Sequence, residues 1–251
     1  MKITLIQPSL RFRDWAANIR EVERLMNQAP GSDLYVLPEM WATGFDVSPS
    51  AETREAGQVA LAWMHRQAEA RQAAVVGSLA VDTMVDAACP ASGSWSNRFY
   101  FVLPEGQTFS YDKIHLFAPG GECRSFLPGR QEVVAVWQGV RFRLQVCFDL
   151  RFPESARRNR EMPYDVLLNV ANWPASRAAA RELLLRARAI ENQVIVVGVN
   201  AVGMDYGGQS LVLDAEGNTV IDAGNQAGTW TFEPDLEAVR RLRNRFPLGL
   251  E

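Results

Sequence analysis

A strand–helix–strand pattern in the last third of the sequence restricts the fold of this chain more than any other feature. Residues 165–170 and 194–199 are two apolar runs, and the residues between them, from about 177 to 192, have helical periodicity. The second run is almost wholly apolar, which is typical of a strand that is buried on both faces. Units of this kind form parallel sheets covered by helices. The pattern therefore predicts an α/β fold.

The other elements are predicted from the same periodicities. Helices are expected after Asp14, over about residues 58–72 and after Asp235. Strands are expected at residues 2–7, 34–38, 74–81, 99–103, 108–113, 133–137, 140–148, 210–213, 219–222 and 229–232. In residues 140–148, apolar side chains alternate with Arg141, Arg143 and Gln145, which predicts a half-buried strand. Sheets covered by helices are the expected architecture, and an ordinary doubly wound sheet is the alternative.

Composition restricts the classes of function. The chain has 251 residues, of which 47% are apolar, and this suits a single domain over residues 1–251. A net charge of −3 without any Lys/Arg-rich run argues against nucleic-acid and polybasic membrane surfaces, which need clustered positive charge. No run approaches the roughly 18 apolar residues of a membrane span. We expect a cytoplasmic protein with a small-molecule partner.

The cysteines and histidines do not form a metal-binding pattern. Cys89, Cys123 and Cys147 are scattered, and the two histidines are His65 and His115. Zinc sites need clustered ligands, and secreted disulfide scaffolds have dense, even sets of cysteines. The sequence therefore predicts a protein without metal in a reducing compartment.

Cys147 lies at the end of a predicted strand, and a turn containing Pro153 follows it. Strand-to-helix turns suit nucleophiles, because the side chain projects into a cleft and nearby backbone N–H groups can hold an oxyanion. The alternative is a structural cysteine, since cysteine is among the residues most often buried. Position alone leaves both interpretations open.

Glu39 and Lys113 are charged residues in apolar surroundings. Glu39 ends the run Leu-Tyr-Val-Leu-Pro, where a carboxylate is suited to general acid–base catalysis, and the alternative is a turn cap beside Trp41. Lys113 precedes Ile-His-Leu-Phe, where its charge could stabilise a tetrahedral intermediate, although most lysines are solvated. His115 could instead pair with Cys147 as a catalytic base, and its alternative role is to hold loop backbone.

Three short segments contain these candidate residues: Leu-Pro-Glu-Met-Trp at 37–41, Tyr-Asp-Lys-Ile-His-Leu-Phe at 111–117 and Cys-Phe-Asp-Leu-Arg-Phe-Pro-Glu at 147–154. In order and spacing they resemble the signature segments of the nitrilase superfamily. The resemblance implies a four-layer αββα sandwich, usually assembled as a homodimer. It also implies that Cys147 is the nucleophile, Glu39 the acid and base, and Lys113 an oxyanion stabiliser. Glu122, in Gly-Gly-Glu-x-x-x-Phe-x-x-Gly, matches a second glutamate that supports the site in that family.

Within the superfamily, the sequence is similar to the omega-amidases. True nitrilases usually follow the cysteine with Trp-Glu, whereas this chain has Phe-Asp-Leu-Arg-Phe-Pro. The segments Asn-Trp-Pro-x-x-Arg at 172–177 and Arg-Ala-Ile-Glu-Asn-Gln at 188–193 are similar to enzymes that deaminate 2-oxo acid amides such as 2-oxoglutaramate. The resemblance implies hydrolysis of a small amide to an acid and ammonia, with no metal or organic cofactor.

Five residues are expected to contact this substrate. The Phe148 backbone N–H is the second expected oxyanion donor, and Arg177 is the expected clamp for a substrate carboxylate. For Arg177 the alternative is a helix-start arginine paired with a glutamate or solvent. The remaining three lie in loops that are expected to shape the pocket: Phe45, Asn172 and Trp173.

Several other functions stay open at this stage. They are an N-carbamoyl amino acid amidohydrolase, a glutaminase, another small aliphatic amidase, and a non-catalytic binding member of the family. Cys123, beside Glu122, has no predicted role.

Overall fold

Strands outnumber helices in the computed structural model, which describes residues 1–83 and 94–249, so that Cys89 lies outside the described residues. The strands are β1 (Ile3–Gln7), β2 (Leu34–Val36), β3 (Ala74–Asp82), β4 (Trp95–Val102), β5 (Thr108–Asp112), β6 (Val134–Trp137), β7 (Val140–Val146), β8 (Val166–Ala171), β9 (Ile195–Asn200), β10 (Val202–Gly203), β11 (Tyr206–Gly207), β12 (Leu211–Leu213), β13 (Thr219–Asp222) and β14 (Gly228–Phe232). The α-helices are α1 (Trp15–Met26), α2 (Ala51–Arg71), α3 (Ala178–Asn192) and α4 (Leu236–Arg245).

The strands form two six-stranded sheets and one short hairpin. The first sheet has the order β14-β1-β2-β3-β4-β5, and the second has the order β13-β12-β9-β8-β7-β6. In each sheet three adjacent strands are parallel, β1 to β3 in the first and β7 to β9 in the second, and the outer strands are antiparallel. The β10–β11 hairpin pairs separately.

The two sheets pack face to face, and helices cover their outer faces. Leu34 and Val36 of β2 point into the core between the sheets, whereas Tyr35 packs with the residues of α1 and α2. Across the core, the rings of Phe101 and Phe142 have centroids 5.4 Å apart. Helix α3 covers the far side of the second sheet, where it contacts β9 and β12. This order of layers confirms the predicted αββα sandwich.

The prediction that β7 is half-buried was wrong, because both of its faces are covered. Arg143 and Gln145 are each 1% exposed. The Arg143 guanidinium donates to the backbone oxygen of Ser155 at 2.7 and 3.1 Å and pairs with Glu132, and Gln145 Nε2 donates to Ser155 Oγ at 2.7 Å. The chain that follows Cys147 folds back over this face, so polar side chains there are bonded to protein instead of water.

Helix α2 begins seven residues earlier than predicted, at Ala51. Its first turns bury small residues such as Thr53 and Ala56 instead of large apolar ones, which explains the missing periodicity. Gly57 lies so close to β3 that a Cβ atom would be 2.7 Å from the Ala80 carbonyl oxygen.

Across residues 1–83 and 94–249, no helix is long and apolar enough to cross a membrane. The single domain, the homodimer and the cytoplasmic location stay predictions.

Candidate active site

Glu39, Lys113 and Cys147 each follow the end of a strand, and the fold brings them together. They come shortly after β2, β5 and β7, respectively. Lys113 Nζ lies 2.8 Å from Glu39 Oε1, and the side chains of both residues are fully buried. Glu39 and Cys147 line the same cavity, and the charge of Glu39 acts on the Cys147 thiol. The predicted triad is therefore a single contact group, although its members come from distant parts of the sequence.

Glu122, the fourth predicted residue, lies on the other side of the Lys113 ammonium. Its two carboxylate oxygens are 2.9 and 3.1 Å from Lys113 Nζ, and Oε2 also accepts the Phe117 backbone N–H at 2.6 Å. Burial lowers the pKa of Lys113, but the charges of Glu39 and Glu122 outweigh this and hold that pKa above its ordinary value. Lys113 is therefore a fixed positive charge at neutral pH.

The Glu39 carboxylate is held by further hydrogen bonds, which involve Asn172 and two residues that the sequence did not single out, Asn97 and Ser78. Asn97 Nδ2 donates to Glu39 Oε1 at 2.8 Å and to Glu122 Oε1 at 3.0 Å. Ser78 Oγ donates to Asn97 Oδ1 at 2.8 Å, which fixes the orientation of the Asn97 amide. The Asn172 backbone N–H donates to Glu39 Oε2 at 2.9 Å. Ser78 and Asn97 are polar residues inside the largely apolar strands β3 and β4, and this position was the feature of the sequence that could have identified them.

Cys147 occupies a strained backbone position at the start of a short 3₁₀ turn, Cys147–Arg151. Its φ is 45°, in the left-handed region that non-glycine residues rarely adopt. Strain of this kind is concentrated at active sites. Burial and the charge of Glu39 raise the pKa of the Cys147 thiol well above its ordinary value, while Lys113 acts in the opposite direction. The resting thiol is therefore protonated and needs a base before it can attack.

A cavity of about 190 Å³ opens over Cys147 and Glu39. The five residues expected to contact substrate all line it: Phe45, Phe148, Asn172, Trp173 and Arg177. Six further lining residues were not predicted: Phe117, Arg151, Pro174, Met204, Asp205 and Tyr206. Tyr206 Oη accepts the Phe45 backbone N–H at 3.0 Å, so the β10–β11 hairpin forms one wall of the site. A cavity of this size admits a small molecule.

Two arginines that line the cavity have no ion-pair partner within the described part of the chain, although both contact aromatic rings. The Arg177 guanidinium lies 4.9 Å from the Phe117 ring centroid, and that of Arg151 lies 5.3 Å from the Trp173 ring centroid. Arg177 does precede α3, as its alternative interpretation proposed, but no glutamate of residues 1–83 and 94–249 pairs with it. Both guanidinium groups therefore remain free to bind an anion.

His115 does not pair with Cys147. Its Nδ1 lies 2.9 Å from Asp149 Oδ1, and its ring stacks on Phe152 with centroids 3.8 Å apart. Asp149 also accepts the Val146 backbone N–H at 2.9 Å. The predicted alternative role, in which His115 holds loop backbone, is partly correct, because the ring acts through the Asp149 side chain.

We expect His115→Ala to lower kcat by about tenfold without abolishing turnover, because the imidazole supports the Cys147 turn but touches no reacting atom. Steady-state ammonia release measures this effect. His115→Asn, which can still donate to Asp149, serves as the matched control and should recover most of the rate. Complete loss of turnover in a folded His115→Ala variant would favour the Cys–His arrangement instead.

Metal ligands do not cluster in the part of the chain that the structure describes, where no group of three or more His, Cys, Asp or Glu side chains is placed to hold a metal ion. Cys123 is exposed.

Known proteins are similar to this chain in sequence and in fold. The family model described as carbon-nitrogen hydrolase matches residues 2–244. Omega-amidase YafV from Yersinia enterocolitica is 40% identical over 98% of this chain and 94% of that protein. The 2-oxoglutaramate amidase of Bacillus subtilis (strain 168) is 30% identical over 98% of this chain and 95% of that protein.

A solved structure of the same superfamily has a similar fold. XC1258 from Xanthomonas campestris, a CN-hydrolase superfamily protein with an arsenic adduct in its active site, superimposes with a TM-score of 0.88. It is 35% identical, and the match covers 100% of this chain and 96% of that one. The chain therefore belongs to the carbon–nitrogen hydrolase family, or nitrilase superfamily, and is an amidohydrolase.

Proposed function

We propose that this protein hydrolyses the terminal amide of a small 2-oxo or dicarboxylic acid monoamide, similar to 2-oxoglutaramate, through a thioester on Cys147. The observation that carries this proposal is the buried Glu39–Lys113–Cys147 group at the base of a small cavity with two unpaired arginines in its wall. The three buried residues catalyse hydrolysis of the amide, and the arginines select a substrate that has a carboxylate.

The first chemical step is attack on the amide carbonyl. Glu39 takes the thiol proton as the Cys147 sulfur forms a bond to the carbonyl carbon. Lys113 and the Phe148 backbone N–H then stabilise the negative oxygen of the tetrahedral intermediate. A protonated thiol with a carboxylate acceptor beside it fits this step, because no free thiolate has to be maintained in a buried site.

The second step releases ammonia and resolves the thioester. Glu39 gives its proton to the departing nitrogen, and the carbon–nitrogen bond breaks. The same carboxylate then takes a proton from water, which attacks the thioester carbonyl and releases the acid and the Cys147 thiol. Asn97 and Asn172 hold the Glu39 carboxylate in one place for both proton transfers.

Carboxylate recognition is assigned to Arg177, with Arg151 as a second donor. Guanidinium groups bind carboxylates with paired hydrogen bonds, and the two arginines lie in a wall that is otherwise largely aromatic. The relatives named as omega-amidase and 2-oxoglutaramate amidase support a substrate with a distal carboxylate.

We expect Arg177→Ala to raise KM for succinamate by about 10- to 100-fold with a smaller change in kcat, because a charge-assisted contact is worth about 1.5–3 kcal/mol. Butyramide has the same chain length without the carboxylate, so its low rate should not change. An unchanged KM for succinamate would remove Arg177 as the clamp, and Arg151→Ala would then test the other guanidinium.

The substrate class is tested by ammonia release from four compounds. They are 2-oxoglutaramate, succinamate, glutamine and an N-carbamoyl amino acid, each with wild type and Cys147→Ala. The proposal requires turnover of the first two by the wild type only. Turnover confined to the carbamoyl compound, with carbon dioxide released, would assign the protein as a carbamoyl amidohydrolase, and turnover confined to glutamine would assign it as a glutaminase.

A further inference from the structure

Three buried polar side chains lie together beneath Cys147, on the side of the second sheet that α3 covers. Gln145 of β7 is the register neighbour of Asn169 in β8, and Asn169 is the register neighbour of Gly198 in β9. Gly198 has no side chain, and Arg181 Nη2 of α3 lies 3.1 Å from where its Cβ would be. Gln145, Asn169 and Arg181 are at most 3% exposed, and we call them the polar cluster.

The polar cluster contains donors and acceptors that are not bonded to protein. Four atoms have no hydrogen-bond partner among the residues that the structure describes: Gln145 Oε1, Asn169 Oδ1, and Nε and Nη2 of Arg181. Their orientations are set by other bonds, since Gln145 Nε2 donates to Ser155 and Arg181 Nη1 donates to the Gln209 backbone oxygen. Buried polar atoms are almost always paired, and water is the smallest molecule that both donates and accepts. The complementary atoms of the cluster therefore define a site for bound water.

The polar cluster is connected to the nucleophile. Asn169 Nδ2 donates to the Cys147 backbone oxygen across a long hydrogen bond of 3.4 Å. Because Oδ1 and Nδ2 belong to one amide group, a water bound at Oδ1 also fixes the direction of this bond. On the same face of α3, Arg188 donates to the Leu150 backbone oxygen at 2.7 Å, within the same 3₁₀ turn. Hydrogen bonds from Asn169 and Arg188 thus hold the strained turn Cys147–Arg151 on the side that α3 covers.

Arg181 also places a positive charge behind the thiol. No carboxylate pairs with it in the ranges that the structure covers, and burial lowers the pKa of Arg181 to about 10, so the guanidinium is charged at neutral pH. Its charge interacts favourably with the charge that develops on Cys147. The other titratable groups that act on the thiol are Glu39, Lys113, Glu122 and Tyr206, and of these Glu39 and Tyr206 line the cavity. Asp149 lies in the same 3₁₀ turn, where its carboxylate accepts the Val146 backbone N–H.

We propose that the polar cluster binds water beneath Cys147 and that Arg181 and Asn169 are positioning residues, which favour ionisation of the nucleophile from the side opposite the substrate. This inference rests on the proposed function only in taking Cys147 as the nucleophile. It does not depend on which amide is the substrate.

The test measures alkylation of Cys147 by iodoacetamide as a function of pH, followed by peptide mass spectrometry so that the other cysteines are counted separately. Arg181→Met removes the charge from a side chain of similar length. Loss of a positive charge disfavours the thiolate, so the profile should move to higher pH and the rate at neutral pH should fall about tenfold. Arg181→Lys keeps the charge and should keep most of the rate.

Two further variants separate this effect from a general disturbance of the helix. Arg186→Met lies on the same helix, where its partly exposed guanidinium contacts Gly217, and should behave as wild type. Asn169→Leu should also slow alkylation, and the double variant with Arg181→Met should be no slower than the slower single variant, because both act through one network.

Wild-type alkylation in Arg181→Met would overturn the proposal, as would equal losses in folded Arg181→Met and Arg181→Lys. If Arg181→Met does not fold, Asn169→Leu decides, and a wild-type profile there would reject the positioning role. A high-resolution crystal structure should place water on Arg181 Nε and Asn169 Oδ1, and its absence would reject the hydrated site. Alkylation requires no amide turnover, so a wrong substrate assignment would leave this test unaffected.

Discussion

Cys147→Ala is expected to abolish amide hydrolysis, with a loss of at least about 10⁴-fold, while the protein remains folded. Among the described residues that line the cavity, Cys147 has the only thiol, and the thioether of Met204 cannot form a thioester. Alanine fits the space and meets the same backbone strain at φ 45°, so we expect a loss of only about 1 kcal/mol in the free energy of unfolding. Ammonia release and thermal unfolding measure the two quantities.

Cys123→Ala is the matched control for this variant. Cys123 is exposed and does not line the cavity, so its removal should leave both activity and stability unchanged. Cys147→Ala with activity near that of the wild type would reject covalent catalysis by this residue. If Cys147→Ala does not fold, Cys147→Ser takes its place in the test, because serine is close to cysteine in size but is a poorer nucleophile.

Lys113→Met is expected to lower both activity and stability. Loss of an oxyanion donor typically reduces the rate by about 100- to 1000-fold. Removal of the ammonium also leaves Glu39 and Glu122 buried without their shared cation, which typically costs about 3–5 kcal/mol in the free energy of unfolding. Urea unfolding and steady-state kinetics measure these losses, and Met is chosen because it fills most of the space of the lysine.

A second substitution separates the two roles of Lys113. In Lys113→Met with Glu122→Gln, one of the two unpaired charges is removed, so stability should partly recover while activity stays low. Recovery of activity together with stability would mean that Lys113 acts only by holding the fold, and its role in stabilising the oxyanion would be rejected.

The pH dependence of the stabilisation by Lys113, Glu39 and Glu122 follows from the direction in which the pKa of Lys113 is shifted. Glu39 and Glu122 hold the pKa of Lys113 above its ordinary value, so the stabilisation is fully present below that ordinary value and is lost only as pH rises through the folded-state pKa. The difference in stability between wild type and Lys113→Met should therefore not change on raising the pH from neutral to mildly alkaline values.

The fold class and the three candidate catalytic residues could be predicted from the sequence, because the patterns that indicate them lie within short segments. Strand and helix periodicity depends on neighbouring residues, so β8, α3 and β9 were recognised before their packing was known. Glu39, Lys113 and Cys147 each follow a strand within a short signature segment. Residue type and position left an alternative open for each of them, and the resemblance of the three segments to the nitrilase superfamily favoured the catalytic interpretation.

Other features were decided by the tertiary structure, because they depend on segments far apart in the chain. Arg143 is buried although its strand alternates, since the chain beyond Cys147 covers that face. Asn172 reaches Glu39 across 133 residues, and Tyr206 meets the Phe45 backbone across 161 residues. Sequence patterns record which side chains prefer burial, whereas the partner of a buried polar atom is set only when distant strands and loops close around it.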